Sequence, residues 1–243
     1  ISAMAMQRLM STAILLENAA GNPITPRRQG SGLADVQRAM DTDAYLTVTG
    51  SDRTKLNLGS DINKDGIYTL NFNLVNDGET AHSYKLGTLT FTESAVTGKS
   101  INYTTKGADK LMIAEKAYMF NDVEIRYFVD GKLINGDEIT VDAGEKVKIK
   151  AVVTLTEENK AYMDATFPNG IYVEGYATLE DTDECGIDLH IPWISFYGDW
   201  QTLPAFEPTA FDGENPTWGN YFGLSMVVFG EDNGSGFISG NMF

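Results

Sequence analysis

The stretch Tyr68-Thr69-Leu70-Asn71-Phe72-Asn73-Leu74-Val75 alternates apolar and polar side chains, with Tyr68, Leu70, Phe72 and Leu74 on one face. A period of two belongs to an extended chain, whose successive side chains point to opposite sides of a sheet. Tyr45-Leu46-Thr47-Val48-Thr49, Lys55-Leu56-Asn57-Leu58 and Tyr84-Lys85-Leu86-Gly87-Thr88-Leu89-Thr90-Phe91 repeat the pattern, as do 125–129, 147–155, 171–179 and 187–196. Turn signals separate these runs: Asn76-Asp77-Gly78, Asp130-Gly131, Asn135-Gly136, Ala143-Gly144 and Asn169-Gly170. Some eight strands, each with one buried face, predict a mainly β, two-sheet antiparallel sandwich. Thr156-Glu157-Glu158-Asn159, a hydroxyl followed by acids, predicts the cap of one short helix running to Met163.

Ahead of the strands the pattern differs. Residues 1–18 read as a helix apolar on nearly every side, through Ile1, Met4, Met6, Leu9, Met10, Ile14, Leu15 and Leu16. A surface helix keeps a polar face, so this one is expected inside a larger core. A turn-rich connection, Gly21-Asn22-Pro23 to Gly30-Ser31-Gly32, leads to a short helix with Leu33, Val36 and Met40 on one stripe. Two helices cannot supply the core that the first one needs, and the expectation is that residues 1–41 finish a domain whose partner surface lies upstream.

Composition narrows the function classes. The chain has 243 residues, 34 acidic and 18 basic, for a net charge of −16. That balance argues against nucleic-acid binding, which needs Lys and Arg in place of phosphate counterions, and against attraction to an anionic membrane surface. Cys185 is the single cysteine, so neither an internal disulfide nor a thiolate metal cluster is expected. The sequence carries no signal-peptide pattern, membrane-spanning run or lipidation motif.

Candidate chemistry is sparse. His82 and His190, the two histidines, fall in or beside predicted strands, away from any nucleophile turn, and read as structural. Gly234-Ser235-Gly236 lacks the strand-turn-helix setting of an elbow serine. Asp61-Ile62-Asn63-Lys64-Asp65-Gly66 matches the first half of a calcium loop, with oxygens on Asp61, Asn63 and Asp65 and a glycine for the sharp turn. The twelfth position is Phe72 instead of a bidentate Glu, and no helix precedes the loop, so a polar hairpin turn is favoured over calcium. Trp193, Tyr197, Trp200, Trp218, Tyr221 and Phe222 could form a stacking platform for sugars or a peptide. Their closeness to Pro192, Pro204, Pro208 and Pro216 favours packing at a domain joint. The cluster Glu180-Asp181-Asp183-Glu184 offers carboxylates to a metal, but it lies between two predicted strands without regular ligand spacing, and a solvated loop is favoured.

Two segments resemble a known family. Met6-Gln7-Arg8-Leu9-Met10-Ser11-Thr12-Ala13, with Arg28-Gln29-Gly30-Ser31-Gly32-Leu33-Ala34-Asp35-Val36, is similar to the end of the catalytic domain of subtilisin-like serine proteases. There a buried helix ending in a Thr-Ala pair precedes a Gly-x-Gly-Leu-x-x-Val turn and a closing helix. Phe167-Pro168-Asn169-Gly170-Ile171-Tyr172-Val173-Glu174-Gly175-Tyr176 and Ile191-Pro192-Trp193-Ile194-Ser195-Phe196-Tyr197-Gly198-Asp199-Trp200 look like the fibronectin type III-like module of cell-envelope subtilases of the lactocepin type. The resemblance implies 1–41 as the end of a subtilisin-like α/β domain, 42–205 as a fibronectin type III/Ig-like sandwich and 206–243 as the start of a further β module. It implies no catalytic residue here, since the Gly-Thr-Ser-Met-x-x-Pro serine element and the catalytic Asp and His have no counterpart. The chain by itself is therefore expected to be inactive toward peptide bonds.

The implied function is the non-catalytic C-terminal portion of a secreted or cell-wall subtilisin-like serine endopeptidase, bracing its protease domain and helping to position a protein substrate. The implied partners are the upstream protease domain and a protein or peptide substrate of the parent enzyme, with no nucleic acid and no membrane insertion. No cofactor is expected beyond the calcium candidate, and the location is extracellular or cell-wall associated. The alternatives are a stand-alone adhesin or carbohydrate-binding β-sandwich, and, least favoured, a hydrolase built on His82 or His190.

Overall fold

A computed structural model describes residues 2–202, apart from 20, 22, 52, 100–108, 115, 184 and 185. Trp218, Tyr221, Phe222, Cys185, Glu184 and the expected module at 206–243 lie outside the described residues. Three helices come first, α1 (Ala3–Ser11), α2 (Pro26–Gln29) and α3 (Val36–Asp41). Eleven strands follow: β1 (Ala44–Val48), β2 (Leu56–Asp61), β3 (Ile67–Asn76), β4 (His82–Thr92), β5 (Ala95–Lys99), β6 (Asp109–Ile113), β7 (Tyr118–Met119), β8 (Glu124–Val129), β9 (Lys132–Leu133), β10 (Glu138–Val141) and β11 (Lys146–Thr154). Helix α4 (Glu157–Thr166), β12 (Ile171–Asp181) and β13 (Leu189–Tyr197) complete the described elements, with a 3-10 turn at Trp200–Thr202.

The chain divides into two compact units, Ile1–Val96 with Leu111–Trp200, and Thr97–Lys110 with Gln201–Phe243. The first unit is a sandwich. One sheet runs β1-β3-β11-β8-β9, and the other runs β10-β4-β12-β13-β2 with β7 added to β4. β5 and β6 pair separately. The alternation in β3 does what the sequence predicts, for Tyr68, Leu70, Phe72 and Leu74 are all buried. They meet Ile149, Ala151 and Val153 of β11 on their own sheet and Tyr84, Leu86, Val173, Ala177, Leu179, Ile191 and Trp193 in the rest of the core. At about 25 cal/mol per Å² of apolar surface removed from water, this shared core is the main stabilising term. Trp193 sits 5.5 Å from the Tyr68 ring across the interior.

Two features depart from the expectation. The sandwich is not wholly antiparallel, because β2 pairs with β13 in parallel, with an irregularity between Ile194 and Phe196. The chain leaves β1 in one sheet and reaches the edge of the other, where β2 runs alongside β13. The opening helix is also far shorter than 1–18. Thr12 Oγ1 donates back to the Arg8 carbonyl at 2.8 Å, and beyond it Ile14 and Leu33 exchange backbone hydrogen bonds of 2.8 and 2.9 Å. Gln29 Oε1 accepts the Leu16 N–H at 2.9 Å. Backbone groups that a helix would consume internally are taken by tertiary partners instead.

Helix α4 follows its predicted cap, with Thr156 accepting the Asn159 N–H at 3.2 Å. Among the described residues no helix is long and apolar enough to cross a membrane.

The close spacing of β4 and β12 depends on Gly175. A Cβ there would collide with the Leu89 carbonyl and stand 2.9 Å from Trp193 Nε1. Gly175→Ala is expected to cost about 1–3 kcal/mol through forced displacement of packed backbone, read as a fall in the urea midpoint at unchanged slope.

Candidate functional site

An antiparallel sheet usually wets one face, but β12 and β13 are buried on both. Val173, Ala177, Leu179, Ile191 and Trp193 enter the sandwich core. Glu174, Tyr176 and His190 point the other way and are equally hidden. Residues 12–38 cover them, and the cover is polar.

Glu174 anchors it. Its side chain is 0% exposed, and a buried carboxylate is tolerable only when paired and hydrogen-bonded. Glu174 Oε2 accepts the Arg27 backbone N–H at 2.8 Å and Oε1 accepts Arg27 Nε at 2.9 Å. Pro26 opens α2 after Thr25, so the Arg27 N–H lies in the first turn, where no helical carbonyl is available to it. Arg27 Nη2 donates to Glu93 Oε1 at 2.6 Å, and Arg28 Nη2 reaches Glu93 Oε2 at 3.4 Å. The Arg27 guanidinium also lies 4.5 Å over the Tyr172 ring. One planar cation thus serves two carboxylates and an aromatic face, a combination that the arginine fork suits and a lysine does not.

Neutral groups extend the clasp. The Tyr176 hydroxyl donates to the Gly30 carbonyl at 2.9 Å, and burial holds its phenol well above the usual range. His190 Nε2 lies 2.7 Å from the Ser31 carbonyl, so Nε2 carries the proton. Burial lowers the His190 pKa, partly offset by that hydrogen bond. Arg38 Nε donates to the Thr12 carbonyl at 3.0 Å. Gly32, with φ of +107°, lets the turn pass against Ile14, where a side chain would strike the Ile14 carbonyl. At the far end Ser11 Oγ accepts the Leu46 N–H at 2.9 Å and donates to the Leu46 carbonyl at 3.3 Å, closing the free edge of β1.

Seven large apolar side chains of the same segment face outward. In α1 the buried residues are Gln7 and Ser11, while Met4, Met6, Ile14, Leu16, Leu33, Val36 and Met40 are exposed, Met40 at 72%. The expected helical stripe of Leu33, Val36 and Met40 is shorter than predicted, because α3 holds only Val36 and Met40 while Leu33 pairs with Ile14 in a β-bridge. Nothing described covers the three exposed side chains. Leu16, Pro23, Ile24 and Leu33 line an open groove of about 440 Å³ beside it.

The residues singled out from the sequence scatter. Asp61 closes its own turn, Oδ1 accepting the Asp65 N–H at 2.9 Å and Oδ2 the Gly66 N–H at 2.8 Å and the Tyr68 hydroxyl at 3.4 Å. Lys64 lies in the left-handed region, at φ 56°. Trp193 and Tyr197 belong to the core. Trp200, 52% exposed, packs edge-on to Phe196 at 4.9 Å and near Tyr172 at 5.6 Å, beside the clasp. The joint reading does not hold for Trp193 and Tyr197, which pack in the core of the sandwich. His82 and His190 lie on separate parts of the second sheet, one paired with Asp183 and the other with Ser31.

Comparison with known proteins bears on this geometry. A family model described as an Fn3-like domain matches residues 60–194. A PII-type proteinase of Lacticaseibacillus paracasei is 24% identical over 210 residues, 84% of this chain and 10% of that protein. PII-type and PI-type proteinases of Lactococcus lactis subsp. cremoris are each 24% identical over 222 residues, 89% of this chain and 10% of theirs. The chain spans about a tenth of the length of these relatives. Among solved structures, a family 123 glycoside hydrolase from Clostridium perfringens aligns at TM-score 0.35 and 8% identity, over 69% of this chain and 28% of that one. A PapD-like domain of human CEP192 aligns at 0.31 and 8%, over 64% and 83%. Scores this low carry no argument.

Two expectations follow from the clasp. Arg27→Ala strands a buried carboxylate and should cost about 3 kcal/mol, whereas Arg27→Met with Glu174→Leu removes both charges and should recover most of it in a double-mutant cycle. His190 keeps its contribution above its unfolded pKa of 6.5. Because the native value is lower, stability falls as pH drops below 6.5 and levels off once the native value is passed. His190→Gln should flatten the urea midpoint between pH 7 and pH 5 relative to the parent chain.

Proposed function

The chain belongs to the Fn3-like domain family, and from that premise we propose that it is the non-catalytic C-terminal portion of a secreted or cell-wall subtilisin-like serine endopeptidase. In this reading residues 1–41 complete the protease domain, 42–205 form the sandwich that braces it and helps position a protein substrate, and 206–243 open a further β module. The parent's protease domain and its protein or peptide substrate are the partners, and nucleic acid and membrane insertion play no part. Calcium at Asp61, Asn63 and Asp65 stays within the reading through the lone pair left on Asp61 Oδ1.

One observation carries the proposal. The segment 1–41 is bolted to the sandwich through Arg27, Tyr176, His190 and Ser11, while Met4, Met6, Ile14, Leu16, Leu33, Val36 and Met40 are turned outward. A segment stabilised by its own domain would put its apolar side chains inward. An exposed apolar face of this kind marks an interaction surface. The similarity to the PII-type and PI-type proteinases, over nearly the whole of this chain, supports a protease domain as what covers it.

Peroxide footprinting read by mass spectrometry tests this. In the isolated chain Met4, Met6 and Met40 should oxidise readily, with fully buried Met163 as internal control. In the parent polypeptide the three should oxidise at least several-fold more slowly. Equal rates in both contexts would remove the protease domain as the covering partner.

A further inference from the structure

A second cluster lies at the end of the six-stranded sheet, remote in role from the clasp and independent of the reading above. His82 opens β4, Asp181 closes β12 and Asp183 follows in the next turn. One ligand-capable atom from each lies within 4.8 Å of the others. Strand pairing brings them together, because Asp181 stands opposite Tyr84, two residues beyond His82 on the same side of β4.

The carboxylates are fixed from several directions. Asp181 Oδ1 accepts the Asp183 N–H at 2.7 Å, Asp183 Oδ2 accepts the Ser83 N–H at 3.1 Å, and Asp188 Oδ1 accepts the Asp181 N–H at 2.9 Å. Thr182 N–H donates to the Ser83 carbonyl at 3.0 Å. Gly186 folds against Asp181 so closely that a Cβ there would overlap the carboxylate. Yet the cluster is incompletely satisfied. Asp181 Oδ2 and His82 Nε2 are sealed from solvent, and neither has a hydrogen-bond partner. A buried polar atom left in this state is destabilising. His82 Nδ1 lies 3.8 Å from Asp183 Oδ2.

We propose that His82, Asp181 and Asp183 form a site for one divalent first-row transition cation, zinc foremost, which ties the start of β4 to the end of β12. Imidazole nitrogen with carboxylate oxygen is a donor set that zinc accepts, and three protein ligands leave a fourth position for water. The cation would bring positive charge directly between the two carboxylates. The site acts as a structural staple, since its ligands come from the start of β4, the end of β12 and the turn after it.

The two histidines make the test specific. Zinc chloride is titrated into the full 243-residue chain and followed by calorimetry and by long-range 1H–15N imidazole spectra. The expected result is one saturable site, with His82 resonances shifted and those of His190 unmoved. Tm should rise by about 5 °C when free zinc is a hundred times Kd. Asp181→Asn and Asp183→Asn should each weaken binding at least tenfold, and Cys185→Ser should leave it unchanged. No saturable site, unmoved His82 resonances, binding that both Asn variants retain, or binding lost on Cys185→Ser would each overturn the assignment. Should the Asn variants fail to fold by circular dichroism, the His82 resonances of the unmodified chain decide alone.

Discussion

A carboxylate sealed inside protein must find a cation, and Glu174 finds Arg27. Much else about the arrangement of this chain follows from that requirement. Glu174 sits on the outer side of β12, a strand held between β4 and β13 in the middle of its sheet. With that face bare, the acid would be hydrated and the outer surface of the sheet would be an ordinary polar one. Covering it removes the water, so the cover must bring its own charge and its own donors. Residues 25–33 bring both, a guanidinium with a backbone N–H for Glu174 and backbone carbonyls for Tyr176 and His190. Such contacts are directional. They set the orientation of the segment more sharply than an apolar patch could, although a buried ion pair adds little net stability over a well-packed apolar substitute.

That division of labour explains why α1 is inverted. Its Gln7 and Ser11 face the sandwich, while Met4 and Met6 face solvent. Inward, the segment needs fixed geometry, and hydroxyls, amides and guanidinium groups provide it. Outward, it presents non-directional apolar surface, which supplies association free energy in proportion to the area covered. A segment with polar contacts on one side and apolar surface on the other is suited to lie between two bodies and to hold one rigidly to the other.

The sandwich was legible because its signal is local. The alternation around Tyr68 and Phe72 reports which face is buried whatever strand lies next door. The Thr156 cap is a contact across three residues and was equally plain. The parallel edge was not legible, since nothing in Leu56-Asn57-Leu58 records the direction of its neighbour. Nor was the end of α1, where backbone groups at Ile14 and Leu16 are claimed by Leu33 and Gln29. The clasp is the hardest case. Arg27 and Glu174 are 147 residues apart, and a single long-range ion pair leaves no period to find. The one trace is the triplet Tyr172, Glu174 and Tyr176. These outward positions in an apolar strand carry an acid between two aromatics, a pattern more readily taken for a wet surface. Likewise Asp181 and Asp183 read as a solvated acidic turn, and only strand pairing shows that His82 joins them.

Where the load enters the sandwich matters for what the segment can do. An edge strand is held by one ladder of hydrogen bonds and peels from its sheet more easily than a central one. Arg27 and the Gly30 and Ser31 carbonyls instead bind Glu174, Tyr176 and His190 of β12 and β13, strands with a neighbour on each side. Force on residues 25–33 therefore spreads into β4 and β2 as well, and through Trp193 and Tyr68 into the facing sheet. Ser11 makes a second attachment on β1, in the other sheet. Two anchors on different sheets resist rotation as well as separation, so the apolar face between them is presented at a fixed angle. A partner seated on Met4, Leu16 and Met40 would be held to both sheets at once, as a brace requires.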